Sequence, residues 1–178
     1  IVQAMGTQKM AKQHAIIKNL AAVESLGSVS VIASDKTGTL TQNKMTVQDI
    51  YIGGEVLQPN ELRLDNQLHR YLLYDVVLNN DSRLQANGKG IGDPTEYALL
   101  EMYRQVPGID MGDDQIALSE DDLRDFLDRQ EEVPFDSDRK LMSTKHLIHT
   151  VPTIFTKGAV DVLLDRCVSY RIGDEIKP

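Results

Sequence analysis

The stretch Ser28-Val29-Ser30-Val31-Ile32-Ala33-Ser34 runs straight into Asp35-Lys36-Thr37-Gly38-Thr39-Leu40-Thr41. Its first half is rich in β-branched residues and nearly free of charge, the pattern of a short buried strand in a parallel sheet. Its second half sets Asp35 and a run of small hydroxyl residues at the C-terminal end of that strand, where open α/β sheets bind their ligands. The residue types suit phosphate chemistry. A carboxylate at a strand end can act as a nucleophile and form an acyl phosphate. Gly38 lets the backbone approach a phosphate closely, and the hydroxyls and N–H groups of Thr37 to Thr39 are natural phosphate ligands. Phosphoryl transfer also needs in-line positioning and neutralisation of oxygen charge, usually by a magnesium ion and a lysine. The competing reading makes Asp35 a turn cap and Thr37 to Thr41 ordinary loop residues.

Upstream, residues 5 to 20 mix basic and apolar side chains with helix formers such as Met10, Ala11, Lys12 and Ala15, and predict a helix. Downstream, Val47 to Ile52, Gly53-Gly54 and Glu55 to Leu57 predict a β-hairpin with a two-residue turn. Leu68, Leu72 and Val76 recur every four residues, with Tyr71 beside them, and mark a helix ending near Asn79-Asn80. Asp93-Pro94-Thr95-Glu96 is a helix start: Asp93 caps, Pro94 takes the first position, and Glu96 stands where it can bond back to the cap. That helix is predicted to run to about Gln105, before Pro107-Gly108. Ser119 is placed to cap a helix carrying Leu123, Phe126 and Leu127 on one face. Glu131 to Phe135, Ser143 to Ile148 and Thr153 to Lys157 read as strands. Val160, Leu163, Leu164 and Cys167 fall at i, i+3, i+4 and i+7 of a short amphipathic helix, which makes Cys167 a buried structural thiol.

A short helix and strand thus precede a longer α+β section with antiparallel strands and packed helices. A lone strand cannot form a parallel sheet. The first section is therefore expected to belong to a domain completed by chain beyond Pro178, and the start at Ile1 fits an excised segment.

Composition narrows the function. The chain has 178 residues, 27 of them acidic and 19 basic, for a net charge of −8. That argues against a nucleic-acid partner, which wants a dense basic face. The acidity concentrates between Asp110 and Glu132 and reads as a solvated face, since no EF-hand-like spacing is present. A single cysteine excludes an internal disulfide and a zinc pattern. No apolar run is long enough to cross a bilayer, and no Walker-type glycine-rich loop is present.

The run DKTGTLT, followed by Gln42-Asn43-Lys44-Met45-Thr46-Val47, resembles the phosphorylation signature of the P-type ATPases. The resemblance implies a catalytic set of Asp35, Lys36 and Thr37. Asp35 would be the aspartyl-phosphate residue. Thr37 would hold phosphate and, through its carbonyl, magnesium, so that Asp35 and Thr37 are the implied Mg2+ ligands. Haloacid-dehalogenase-like phosphatases are similar, but many carry a second Asp, a general acid, where this chain has Thr37. Without that acid an acyl phosphate survives longer. A soluble phosphatase of that type is the enzyme alternative, and a noncatalytic nucleotide-binding module is the other.

Three further segments resemble the nucleotide-binding domain of the same family. Asn80-Asp81-Ser82 followed by Gly92-Asp93-Pro94-Thr95-Glu96 is similar to a stretch whose Glu contacts the adenine side. Pro134 to Ser143 is similar to an FSxxRKxMS motif, in which Phe135 stacks on adenine and Lys140 approaches the nucleotide. Thr156-Lys157-Gly158-Ala159 is similar to a KGA motif, with Lys157 lining the pocket beside Gly158. Taken singly, Glu96 reads as a capping residue, Phe135 as core, Lys140 and Lys157 as surface lysines, and Gly158 as a turn. Their order behind DKTGT favours one pocket for ATP.

The resemblance implies an α+β fold. Residues 1–46 would be the end of a stalk and the first piece of a haloacid-dehalogenase-like α/β phosphorylation domain. Residues 47–178 would be most of a nucleotide-binding domain with an antiparallel sheet flanked by helices. Met10 to Thr41 looks especially like the calcium-pump-like type II branch. The implied partners are ATP with Mg2+, the phosphorylation, actuator and transmembrane domains of the same chain, and a cation bound elsewhere. The implied location is the cytosolic side of a membrane. Later family segments, such as TGD-like, DPPR-like and GDGxND-like motifs, do not occur. The chain alone is therefore expected to bind ATP weakly without turning it over.

Overall fold

The computed structural model describes residues 2–85, 89–109, 119–173 and 175–178. The chain divides into two compact units, Ile1–Asn43 and Lys44–Pro178.

In the first unit, α1 (Val2–Lys12) carries Lys9 and Lys12 in its last turn, the favourable end of the helix dipole for cations. The helix does not continue to residue 20 as the sequence predicts. His14 takes a left-handed φ of 62°. Its N–H donates to Ala11 O at 3.0 Å, and the Ala15 N–H donates to Met10 O at 3.0 Å. This paired closure ends a helix. A second helix, α2 (Leu20–Ser25), starts on Asn19, whose side chain accepts from the Ala21 N–H at 2.9 Å.

The expected strand over residues 28–34 is not formed. The backbone there is extended at Val29, with φ −66° and ψ 134°. An extended segment becomes a strand only through ladder bonds to a neighbour, and no described strand pairs with this one. Val31 and Ile32 stand 80% and 87% exposed. The expectation of a buried strand is corrected accordingly.

The second unit begins with the hairpin β1 (Ile50–Ile52) and β2 (Glu55–Leu57), in register Ile50↔Leu57. Gly53 and Gly54 both have positive φ, 63° and 93°, as a turn matching the twist of the two strands requires. Then α3 (Gln67–Leu78) is capped by Asn66, which accepts from the N–H groups of Leu68 and His69. Its buried face is His69, Leu73, Val76 and Val77. The stripe is thus displaced by one residue from Leu68 and Leu72, which are half-buried, because Leu73 and Val77 are the pair turned inward.

Two short strands, β3 (Arg83–Leu84) and β4 (Gly90–Ile91), pair antiparallel ahead of α4 (Pro94–Tyr103). Asp93 caps α4 by accepting from the Thr95 N–H at 2.8 Å. Next, α5 (Glu120–Phe126) has the reciprocal capping box of Ser119 and Asp122. Leu123 and Leu127 point inward, whereas Phe126, expected on the same face, lies on its flank and is 75% exposed.

A three-stranded antiparallel sheet closes the unit in the order β5 (Glu131–Asp136), β6 (Leu141–Ile148), β7 (Val151–Gly158). The central strand β6 is buried along most of its length, while β5 is an exposed edge bearing Glu131 and Glu132, charges that discourage further pairing. Helix α3 packs against α4, α5 and β7. The core joins Leu73, Val77, Leu100, Leu123, Ile148 and Phe155. This is an α+β domain of antiparallel sheets and helices.

After the sheet, α6 (Val160–Leu164) exposes both Val160 and Leu164, and Cys167 is exposed as well. The apolar stripe is therefore not a buried one, and Cys167 is not a core thiol. A last hairpin pairs β8 (Tyr170–Ile172) with β9 (Glu175–Lys177).

Of the acidic run, residues 110–118 lie outside the described residues. Glu120 departs from the solvated reading: it is buried and held by Arg104 at 2.6 Å. Among the described residues no group of acidic or histidine side chains is arranged to hold a metal ion, and no helix is long and apolar enough to cross a membrane.

Polar groups are buried at the C-terminal end of α3. Arg124 donates to the carbonyls of Val77, Asn80 and Ser82. Arg129 donates to those of Leu78 and Asn80. Guanidinium groups there satisfy the carbonyls a helix leaves unpaired and suit its dipole. Beside them His146 is 1% exposed. Its Nδ1 lies 2.8 Å from the Leu127 carbonyl, which only accepts, so Nδ1 carries the proton and Nε2 is left without a partner.

Burial pushes the His146 pKa below its ordinary 6.5, against the opposing pull of the Leu127 carbonyl. The unfolded chain then binds a proton that the folded chain resists. The contribution of His146 to stability is full above pH 6.5 and is lost as pH falls from there through the lower folded value. Chemical denaturation at a series of pH values should show this decline, and His146→Asn should remove it.

Candidate functional site

Three segments of the second unit converge on a cavity of about 720 Å³. The start of α4 contributes Asp93, Thr95, Glu96 and Leu99. The β5 edge contributes Phe135, and the β5–β6 turn contributes Lys140. The end of β7 contributes Lys157, Gly158 and Ala159. Glu96, Phe135, Lys140, Lys157 and Gly158, singled out in the sequence, are thereby brought to one place.

Local structure explains each placement. A register shift in β5 between Val133 and Asp136 bends the edge that carries Phe135. Phe135 is 63% exposed, so it is not core. Asp136 Oδ1 accepts from the N–H groups of Asp138 and Arg139, folding the turn locally. Lys140 closes that turn with a left-handed φ of 56°. Its neighbours Leu141 and Met142 are buried and anchor it. The β6–β7 register sets Leu141 opposite Gly158 and Met142 opposite Lys157. The Lys140 carbonyl accepts from the Ala159 N–H at 3.1 Å, which ties the turn to the end of β7.

Glu96 is the polar centre of the cavity. It does not bond back to its own cap, as the sequence predicts. Its Oε1 accepts from Lys157 Nζ at 2.6 Å. Its Oε2 accepts from Ser82 Oγ at 3.0 Å and from the Asp81 N–H at 3.2 Å. Two donors arriving from a separate segment, plus an ammonium, outweigh one bond to the cap. Nearby, burial raises the Asp75 carboxyl above its ordinary range, while its bond from Asn79 and the charge of Lys157 oppose the rise. The cavity therefore offers an aromatic face, aliphatic walls at Leu99 and Ala159, a Glu–Lys pair and a further ammonium at Lys140. Binding sites for small molecules with a flat apolar part and a charged part have this make-up.

The family described as P-type ATPase, cytoplasmic domain N, matches residues 69–178. The chain belongs to this P-type ATPase N-domain family. A calcium-transporting ATPase of Listeria monocytogenes is 46% identical over 180 residues, covering 100% of this chain and 19% of that protein. A second, of Lactococcus lactis, is 48% identical over 169 residues, covering 94% of this chain and 18% of its own. One from Saccharomyces cerevisiae is 37% identical over 190 residues, covering 96% of this chain and 19% of its own. The chain thus spans about a fifth of the length of these curated relatives.

All the cavity residues fall inside the stretch matched by the P-type ATPase N-domain family, whereas the Asp35 turn precedes it. That turn belongs to the first unit. Asp35 is extended, with φ −66° and ψ 145°, and its side chain makes no cap bond. Thr41 closes the turn instead. Its N–H and Oγ1 donate to the Lys36 carbonyl at 3.1 and 3.3 Å, and its Oγ1 accepts from the Gly38 N–H at 3.4 Å. Gly38 has a φ of 74°, a conformation that favours glycine. Asp35, Lys36 and Thr37 all lie exposed on this turn.

The sequence missed how Asp81 and Ser82 serve Glu96, because no periodicity links residues fourteen and fifteen positions apart. Leu99 was within reach of a helical reading, since it lies one turn from Thr95 and Glu96 on α4.

Proposed function

We propose that this chain is the ATP-binding part of a P-type ATPase that transports a cation, calcium by the names of its relatives, across a membrane. The observation that carries the reading is the convergence of Glu96, Phe135, Lys140, Lys157 and Gly158 on one cavity. An exposed aromatic ring offers a stacking face for adenine. Lys140 supplies positive charge for phosphates, and Lys157, paired with Glu96 at 2.6 Å, lines the same pocket. Glu96 offers an acceptor towards the base.

Asp35 is the proposed phosphoryl acceptor. Its carboxylate oxygen attacks the γ-phosphorus of ATP, the bond from that phosphorus to the bridging oxygen breaks, and ADP leaves with the bonding pair. Lys36 and Thr37 stand beside it to neutralise and hold the transferred group. The donor set suits Mg2+, which takes one or two carboxylates and completes its shell with water and phosphate oxygens. Asp35 and the Thr37 carbonyl would hold the ion, which supplies charge neutralisation on the phosphate. Thr37 stands where related phosphatases hold a general acid, which favours a transport cycle over simple hydrolysis.

Residues 1–46 form the end of a stalk and the first piece of a haloacid-dehalogenase-like phosphorylation domain, and residues 47–178 form most of the nucleotide domain. The remaining partners are the other domains of the same longer chain, at the cytosolic side of the membrane. On its own the chain binds ATP weakly and does not turn it over. Calorimetric titration tests the binding. Phe135→Ala should weaken ATP affinity by about tenfold, the loss of one good stacking contact. Equal affinity in the two proteins would contradict the proposed site.

A further inference from the structure

At the third position of α4 a carboxylate ordinarily folds back on its own N-cap. Glu96 instead reaches a separate turn, Asn80-Asp81-Ser82. Ser82 Oγ lies 3.0 Å from Glu96 Oε2 and 3.5 Å from the Asp93 carbonyl, so its single proton is committed to Glu96. The hydroxyl is buried with its residue, which is 1% exposed. It does not itself line the cavity and reaches the site only through Glu96 and the Asp93 carbonyl, which do.

The turn that carries Ser82 is fixed from several sides. The Ser82 N–H donates to Asn80 Oδ1 at 2.9 Å. Asn80 Nδ2 donates to the Val76 carbonyl at 3.1 Å and to the Glu96 carbonyl at 2.9 Å. Arg124 holds the carbonyls of Asn80 and Ser82 at 3.2 and 3.0 Å. Gly92 admits the hydroxyl: a Cβ there would fall on Ser82 Oγ and lie 2.9 Å from Ser82 Cβ. With Oε2 taken by Ser82 and Asp81, Oε1 is turned to Lys157 at the cavity wall.

We infer that Ser82 is a positioning residue for nucleotide recognition, one that locks the Glu96–Lys157 pair in place before the ligand arrives. The inference rests on the proposed nucleotide site. Two long side chains then lose little further freedom on binding, which favours affinity.

The test combines two readouts on the purified chain. One is ATP affinity by calorimetry. The other, needing no ligand, is hydrogen exchange at the Asp81 N–H, which is bonded to Glu96 while the residue itself is exposed. In Ser82→Ala, ATP affinity should fall about tenfold, the scale of one hydrogen bond to a charged group. Exchange at Asp81 should accelerate by about the same factor. In a Glu96→Ala background the same substitution should add almost nothing, because the acceptor it serves is already gone. Unchanged affinity together with unchanged Asp81 exchange would overturn the inference. So would an equal loss of affinity with and without Glu96, which marks a general structural effect. If the parent chain fails to bind ATP, the nucleotide reading falls and Asp81 exchange alone decides whether Ser82 positions Glu96. Ser82→Cys keeps the side-chain shape with a weaker donor and is read the same way should the alanine variant not fold.

Discussion

Gly158→Ala is expected to lower the unfolding free energy by about 3 kcal/mol, combining backbone strain with overpacking. It should also weaken ATP binding by about tenfold or more, a 1 Å-scale displacement of ligand-facing groups. Gly158 has a φ of 153°, and a Cβ there would fall on the Lys140 carbonyl and lie 2.9 Å from Leu141 Cα. Both obstacles are backbone and cannot swing aside. The Lys140 carbonyl would have to leave the Ala159 N–H, which now holds it at 3.1 Å. That bond ties the turn bearing Lys140 to the strand end bearing Lys157, so one methyl group disturbs both ammonium groups. Urea denaturation measures the first effect and calorimetric titration the second. A variant as stable and as tight as the parent would show that this backbone contact does not shape the site.

The second large effect concerns Asp35. In a full-length transporter carrying this sequence, Asp35→Asn should abolish incorporation of labelled γ-phosphate into protein. The amide keeps the size of the side chain but lacks the nucleophilic oxygen charge. The turn should survive, because Thr41 closes it and the Asp35 side chain makes no cap bond. The variant should still bind ATP, since the cavity residues belong to the unit Lys44–Pro178 and Asp35 to the other. Acid-quenched labelling checks the prediction. Label incorporated at the parent level would remove Asp35 from its proposed role.

Local signals carried much of the fold. Gly53-Gly54 announced a hairpin because two positive φ values at a two-residue turn ask for glycine. Asp93-Pro94 and Ser119 announced helix starts because capping chemistry lies within three residues. The departures share a different cause, which is that long-range partners decide what a local pattern becomes. Residues 28–34 have the composition of a buried strand, yet no described strand supplies ladder bonds. Leu68 and Leu72 keep helical spacing, but packing against α4, α5 and β7 turns Leu73 and Val77 inward. Phe126 and Cys167 sit on patterns that look apolar and face outward, since a stripe alone does not say what covers it.

The site shows the same division. Phe135, Lys140, Lys157 and Gly158 were legible as types suited to a nucleotide, and the antiparallel register of β5, β6 and β7 draws their segments together. Glu96 was legible as a residue of interest but with the wrong bond. Its local option was the cap, while the structure supplies three donors from Ser82, Asp81 and Lys157. Only the three-dimensional path of residues 80–82 reveals that competition.

The cavity proposed to hold ATP lies between the start of α4 and the ends of β5 and β7. Amide NMR spectra recorded while ATP is titrated into the chain test that occupancy most directly. Saturable shifts are expected at Thr95, Glu96, Phe135, Lys140, Lys157 and Ala159, and are lost in Phe135→Ala. Shifts centred instead on the polar recess lined by Arg83, Arg124, Arg129 and His146, or none at millimolar ATP, would contradict it.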